Sequence, residues 1–384
     1  MKLPRAVKRL ARIARGGLGM AIGMAYYPVA WFGWFRARDP LAAAVSELLL
    51  VGFHGASSAS PSARLLARQV RRGQVGAVFF VHQNVGSIAQ LKGLLQLFGG
   101  GAGTPLLAID HEGGVVQRLT EAHGFTRVPS AREVAAGLSP DEACELYAQA
   151  GRELATLGFN LNLGPVLDVD EPGNPAIGVF GRAYGTDPEC IARYAQAFVD
   201  GFASAGILCA AKHFPGHGRA VSDSHDGVAD ISATWTEAEL EPFARAVASP
   251  HPPPLMMTGH LRLDSMAPDG CPATLSPALV TGLLRERLGY RGVVVTDDLD
   301  MGAISRIMGR RQAVVQALAA GSDLLMVKNL FRYDPLMPQR AVGWVRRAIA
   351  RGELSEEQVL QAAQRVRALR AGPGVRPAVD ATRP

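Results

Sequence analysis

The chain has little cysteine. Its 384 residues hold four, Cys144, Cys190, Cys209 and Cys271. Their spacing fits neither a disulfide framework nor a cysteine metal centre, so four reduced thiols in or near a core are expected. Charge is thin too: Asp, Glu, Lys and Arg make up 19% of the residues against 48% hydrophobic, which excludes disorder and leaves ample apolar mass for a large core. No collagen-like repeat is present. The formal net charge of +6 would suggest a nucleic-acid partner, but Lys2, Arg5, Lys8, Arg9, Arg12 and Arg15 account for it. The remainder is roughly neutral, and no nucleic-acid partner is expected.

Behind that basic stretch, residues 16 to 35 carry no charge and end in Tyr26, Tyr27, Trp31, Phe32, Trp34 and Phe35. Twenty uncharged residues can span a bilayer, with the basic flank cytoplasmic and the aromatics at the interface. No small-residue cleavage site follows, so an uncleaved anchor or interfacial helix is favoured over a removed signal peptide. An apolar arm packed on the folded body is the other reading.

From residue 47 onward, short apolar runs alternate with longer amphipathic stretches, the pattern of repeated βα units and a parallel sheet. Eight strand-length runs stand out: Leu48 to Phe53, Ala77 to Val81, Leu106 to Asp110, Asn160 to Gly164, Cys209 to Phe214, Leu255 to Gly259, Gly292 to Asp297 and Leu324 to Lys328. Helix starts are marked by capping boxes at Ser139 to Glu142, Thr236 to Glu239 and Ser355 to Gln358, where the first residue caps and the fourth reaches back. No G-x-G-x-x-G turn follows the first strand, so a closed barrel is favoured over an open doubly wound sheet. The expectation is an α/β fold, a (β/α)8 TIM-type barrel as a single catalytic domain over residues 39 to 371. Residues 1 to 38 would be a possible membrane anchor and residues 372 to 384 a flexible tail.

In such a barrel, reactive groups belong at the C-terminal ends of the strands. Asp110, Lys212, His213 and Asp297 interrupt the apolar pattern at four of those ends. The stretch Lys212-His213-Phe214-Pro215-Gly216-His217-Gly218 is followed four residues later by Asp223-Ser224-His225. Pro215 and Gly216 rule out the helical H-E-x-x-H geometry, which argues against a metal. In Val293-Val294-Val295-Thr296-Asp297-Asp298, alternation along a strand allows only one of the two carboxylates to face a central ligand. Further motifs are Asp110-His111-Glu112-Gly113-Gly114-Val115-Val116-Gln117-Arg118, Gly164-Pro165-Val166-Leu167-Asp168, Asn174-Pro175 running to Arg182-Ala183-Tyr184-Gly185, Met257-Thr258-Gly259-His260 and Ala273 to Pro277.

Together these segments resemble the signatures of glycoside hydrolase family 3 β-N-acetylhexosaminidases of the single-domain bacterial kind, over roughly residues 47 to 330. The resemblance implies a retaining hydrolase that removes terminal β-linked N-acetylglucosamine, with peptidoglycan-derived glycosides as substrates and no cofactor or metal. It makes Asp297 the nucleophile and His225, partnered by Asp223, the acid/base. It places Asp110, Arg118, Arg182, Lys212 and His213 against the sugar. It also implies a cytoplasmic enzyme; the N-terminal segment, read from its own charge and aromatic pattern, would attach it to the inner membrane, with the periplasmic face and an uncleaved signal anchor as the alternative, and a monomer is expected. The competing readings are a glycoside phosphorylase, a metal-dependent barrel hydrolase and a catalytically silent sugar-binding barrel.

Overall fold

A computed structural model describes residues 39–99, 104–222 and 227–372. Contacts divide the chain between Ala43 and Ala44. Of the first unit, the described residues are Asp39 to Ala43, which open the helix Pro40–Glu47. The expectations for residues 1 to 38, for Asp223 and His225, and for the tail beyond Gly372 lie outside the described residues.

The second unit is built on eight parallel strands: β1 (Leu49–Val51), β2 (Ala77–Phe80), β3 (Leu106–Ile109), β4 (Leu161–Asn162), β5 (Leu208–Phe214), β6 (Leu255–Thr258), β7 (Val293–Thr296) and β8 (Leu325–Val327). Each falls inside one of the eight expected runs or overlaps it. The neighbours run in the order β7-β6-β5-β4-β3-β2-β1-β8. A parallel bridge between Val295 and Leu324, with the Leu324 N–H donating to the Val294 carbonyl, joins the two ends and closes the ring. The strands are buried almost throughout, as they must be with side chains lining the barrel on one face and helices covering the other.

Strand alternation sets what faces where. Phe79 of β2 lines the central cavity, while Phe80 beside it packs edge-on against Phe53 and Phe159, at 5.3 and 5.2 Å between ring centres. Each such aromatic pair is worth about 0.5–1.5 kcal/mol beyond its buried area. The covering helices start where local signals place them. Ser139 caps Pro140–Leu157, its hydroxyl accepting from the Glu142 N–H at 3.3 Å while the Glu142 carboxylate accepts the Ser139 N–H at 2.8 Å. Ser355 opens Glu356–Ala371, its N–H donating to Gln358.

One expectation needs correction. Thr236 does not cap a helix: Glu237–Glu239 is a single 3-10 turn, the α-helix begins at Glu241, and the Thr236 hydroxyl accepts from Arg219. Glu239 faces inward and its carboxylate accepts the Arg219 N–H at 3.2 Å. Loop anchoring has replaced capping there. Among the cysteines, Cys209 is buried and the other three are half-buried; all four are free thiols.

Candidate active site

The C-terminal ends of the strands and the loops leaving them carry most of the charged residues that the barrel buries, with Asp323, ahead of β8, an exception. After β3, Asp110 leads into a tight antiparallel ribbon, His111–Gly113 against Val116–Gln117. Gly113 and Gly114 turn it with φ of 111° and 55°, a region that side-chain-bearing residues rarely adopt. From β4, the Asn162 side chain pins this entry by exchanging hydrogen bonds with both the N–H and the carbonyl of His111, each 2.9 Å.

Glu112 then meets two cations. Arg182 grips it with two hydrogen bonds, 2.8 Å from Nε and 2.7 Å from Nη2, and Lys212 Nζ lies 2.5 Å away. Lys212 also reaches Asp110 at 3.3 Å, and Arg118 closes on Asp110 from the other side at 3.1 Å. The side chains of Glu112 and Lys212 are only 7% and 4% exposed, so the charges are desolvated and depend on one another. Burial alone would raise the Glu112 carboxyl, but Arg182 and Lys212 outweigh it and hold it well below the usual carboxylate range. Asp110 is held below its ordinary value in the same way, burial being overcome by Lys212 and Arg118.

Lys212 and His213 are adjacent on a strand, yet both line the same cavity. The register of β5 against β6 breaks between Ala211 and Phe214, where simple alternation is lost, and the peptide joining Lys212 to His213 is cis. His213 Nδ1 lies 2.7 Å from Asp168 Oδ2. The other oxygen of Asp168 accepts the backbone N–H groups of His213 at 3.2 Å and His217 at 2.8 Å. This fully buried carboxylate therefore orients one imidazole and fastens the loop that follows it. The same loop is tied down by Asn174, whose side chain donates to the carbonyls of His217 and Ala220, and by Trp235, which donates to the Pro215 carbonyl.

Opposite them, β7 delivers Asp297 into the cavity. Its Oδ1 accepts the Asp298 N–H at 2.7 Å. Burial pushes the Asp297 carboxyl up, but nearby His260, His213 and Lys328 more than compensate and keep it ionised. Asp298 turns away: one oxygen accepts the backbone N–H groups of Asp300 at 3.1 Å and Lys328 at 2.9 Å, and burial raises its carboxyl to about 6. His260 supports the turn, its ring nitrogens meeting Thr274 Oγ1 at 3.0 Å and the Asp298 carbonyl at 2.9 Å. The motif segments at 257–260 and 273–277 thus have a positional purpose.

The result is a cavity of about 150 Å³ with Asp297 on one wall, Asp110, Arg118 and Lys328 on another, and Arg182, Lys212 and His213 completing the ring. All six of the expected site residues that fall within the described segments meet in this one place. Glu112, Asp168 and Lys328 were not among the expected site residues. Glu112 and Asp168 stand inside the sequence motifs, and Lys328 directly follows β8 as Asp110 follows β3 and Asp297 follows β7. Among the described residues no group of His, Cys, Asp and Glu is arranged to hold a metal ion. None of the described helices is long and apolar enough to cross a membrane.

The Glycosyl hydrolase family 3 N terminal domain model matches residues 41–369. The chain is 31% identical over 334 residues to Beta-hexosaminidase A of Pseudoalteromonas piscicida, covering 79% of this chain but 54% of that protein. A family 3 β-N-acetylglucosaminidase from Paenibacillus sp. superposes with a TM-score of 0.76 at 37% identity, over 85% of this chain and 61% of that one. A β-N-acetylhexosaminidase from Beutenbergia cavernae does so with a TM-score of 0.74 at 31% identity, over 86% of this chain and 98% of that one. The chain therefore spans about half the length of the Pseudoalteromonas relative and nearly all of the Beutenbergia structure.

Proposed function

The chain belongs to glycosyl hydrolase family 3, and from that premise we propose that it is a retaining β-N-acetylhexosaminidase. The observation that carries the reading is the placement of Asp297 at the wall of a 150 Å³ cavity ringed by Asp110, Arg118, Arg182, Lys212 and His213. That space suits one pyranose ring, which points to removal of a single terminal sugar.

Asp297 attacks the anomeric carbon as the bond to the leaving oxygen breaks, giving a glycosyl-aspartate; water then releases the sugar. With Oδ1 held by the Asp298 N–H, Oδ2 is the attacking atom. Asp110, Arg118, Arg182, Lys212 and His213 hydrogen-bond the hydroxyls and orient the ring, and Glu112 and Asp168 hold those donors in place. His225, with Asp223 as its partner, protonates the departing oxygen and later takes the proton from water, a task for which imidazole suits near-neutral pH. No metal or cofactor takes part.

A preference for N-acetylglucosamine is the reading that the β-N-acetylglucosaminidase and β-N-acetylhexosaminidase relatives support, and peptidoglycan-derived glycosides are the substrates we favour. Residues 1–35 would make a membrane contact on the cytoplasmic side, residues 39–371 the catalytic domain and residues 372–384 a tail. Proton NMR of an N-acetylglucosaminide during turnover, with and without phosphate, tests the reading. Initial release of β-N-acetylglucosamine in both cases supports it; initial α-anomer, or N-acetylglucosamine 1-phosphate as the product, overturns it.

A further inference from the structure

The charges beyond Arg15 cancel in sum, but they are not mixed. From Leu48 to Ile109 the sequence holds no aspartate or glutamate. The helix Pro61–Arg71, which follows β1, carries Arg64, Arg68 and Arg71, and Arg72 closes it. The helix Ile88–Gln96, which follows β2, adds Lys92. The helix Met337–Ala350, which follows β8, is likewise free of acids and holds Arg340, Arg346 and Arg347, with Arg351 at its end. Because β8, β1 and β2 are neighbours in the ring, these three helices form one wall. Hydrogen bonds stitch it together: Gln69 donates to the Pro335 carbonyl at 2.9 Å, Gln339 to Gln74 at 3.1 Å, and Arg71 to the Leu97 carbonyl at 2.7 Å. Every one of these cations except Arg68 is exposed. Arg340 meets Asp334 at 3.3 Å and Arg351 meets Glu353 at 3.6 Å. Arg64 and Arg71 donate instead to the backbone carbonyls of Ser58 and Leu97, which steadies each guanidinium without cancelling its charge.

The opposite side has the opposite sign. In the ring, β4 stands four strands from β8. The helices before and after β4, Pro140–Leu157 and Pro188–Ser204, carry Asp141, Glu142, Glu145, Glu153, Glu189 and Asp200 against only Arg152 and Arg193. A body polarised in this way turns its basic wall toward any broad anionic surface and its acidic wall away. Two features select a bilayer as that surface. The cations are spread over three helices, and the chain approaches β1 from residues 16 to 35, uncharged and ending in aromatics, a composition suited to the lipid interface. One apolar attachment holds only marginally, and a polybasic face supplies the second signal that stable anchoring needs.

We propose that the wall made by the helices Pro61–Arg71, Ile88–Gln96 and Met337–Ala350 docks on an anionic phospholipid bilayer. Barrel helices run alongside the strands, so the barrel lies on its side there and its mouth, with Asp110 and Asp297, stays open to solvent. The test is sedimentation of the full-length chain with vesicles of phosphatidylcholine alone or mixed with an equal part of phosphatidylglycerol. A cation near such a surface is worth about fivefold in partition. Arg64→Gln/Lys92→Gln/Arg347→Gln, one change on each helix, should therefore lower partition onto the mixed vesicles about 100-fold. Each single change should lower it about fivefold, which carries the test if the triple variant does not fold. Arg152→Gln/Arg193→Gln/Arg245→Gln removes the same charge from exposed positions on other helices and should partition as the wild type does. The preference for mixed vesicles should fade as salt screens the charges, and all these proteins should bind phosphatidylcholine alone weakly and equally. Unchanged thermal unfolding midpoints show that the variants compared are folded. Equal partition of the two triple variants, or wild-type binding indifferent to phosphatidylglycerol, would overturn the proposal. Tighter binding of the wild type to a duplex oligonucleotide than to the mixed vesicles, lost in the first triple variant, would give the wall to nucleic acid and overturn it as well.

Discussion

Glu112 touches no substrate in this account, yet its replacement should be among the most damaging in the protein. One carboxylate offsets two buried cations: Arg182 through hydrogen bonds of 2.8 and 2.7 Å, and Lys212 at 2.5 Å. In Glu112→Gln the amide oxygen could still accept one hydrogen bond, but the charge that offsets both cations is gone, leaving Arg182 the Ala176 carbonyl at 2.9 Å and Lys212 the Asp110 carboxylate at 3.3 Å beside it. Removing one partner of a buried ion pair typically costs about 3–5 kcal/mol, because the other charge stays desolvated and uncompensated. Denaturant unfolding should therefore show a lower midpoint with the slope unchanged. The double variant Glu112→Gln/Arg182→Gln removes one charge of each sign and should recover much of that loss, a coupling that independent sites would lack. Turnover should stay poor in the double variant, since Arg182 itself holds the sugar. The acid side offers a second readout. A carboxyl held below its ordinary value of 4.5 contributes stability that is complete above that pH and disappears as the pH falls toward the lowered folded value. Wild-type stability should fall through this range more steeply than that of Glu112→Gln. A single-variant cost under about 1 kcal/mol, or a double variant equal to the sum of the singles, would refute the network as described.

Asp297→Ala should lose turnover and regain it with azide through a product of inverted configuration, whereas Asp298→Asn, which can still accept the two backbone N–H groups, should remain active; comparable loss in both would remove the distinction. His225→Ala should slow glycosides with poor leaving groups by about 100- to 10,000-fold and dinitrophenyl N-acetylglucosaminide much less; equal slopes of first-step rate against leaving-group pKa would show that His225 is not the acid. Asp168→Asn should leave the fold intact but raise KM, because His213 loses its charged orienting partner, and unchanged kinetics would make Asp168 purely structural. Deletion of residues 1–38 should leave an active enzyme that no longer sediments with membranes; loss of folding would show that the segment belongs to the body.

The barrel was legible because each strand is short, apolar and bounded by helix or turn signals, and a strand buried on both faces leaves few alternatives. Asp110, Lys212, His213 and Asp297 were visible for the converse reason: each interrupts or ends such a run with a group that a barrel core would reject. What stayed hidden was the pairing. Glu112 and Arg182 are 70 positions apart and Asp168 and His213 are 45, so which carboxylate meets which base depends on loop paths that local spacing does not encode. Thr236 misled because its capping-box pattern is local, while the tertiary demand for Glu239 beneath Gly216 and Arg219 is not. Lys328 went unremarked because its strand carries no other polar signal, although its position repeats that of the other strand-end groups.

The central claim is a covalent intermediate on Asp297. It is tested most directly by mixing the enzyme with a 5-fluoro N-acetylglucosaminyl fluoride, which forms the glycosyl enzyme faster than it is hydrolysed. Acid quench, proteolysis and mass spectrometry then locate any sugar adduct. The account predicts one fluorosugar per chain on Asp297, lost on incubation with excess acceptor as activity returns. An adduct on Asp298 or on any other residue, or full turnover with no adduct at all, would contradict it.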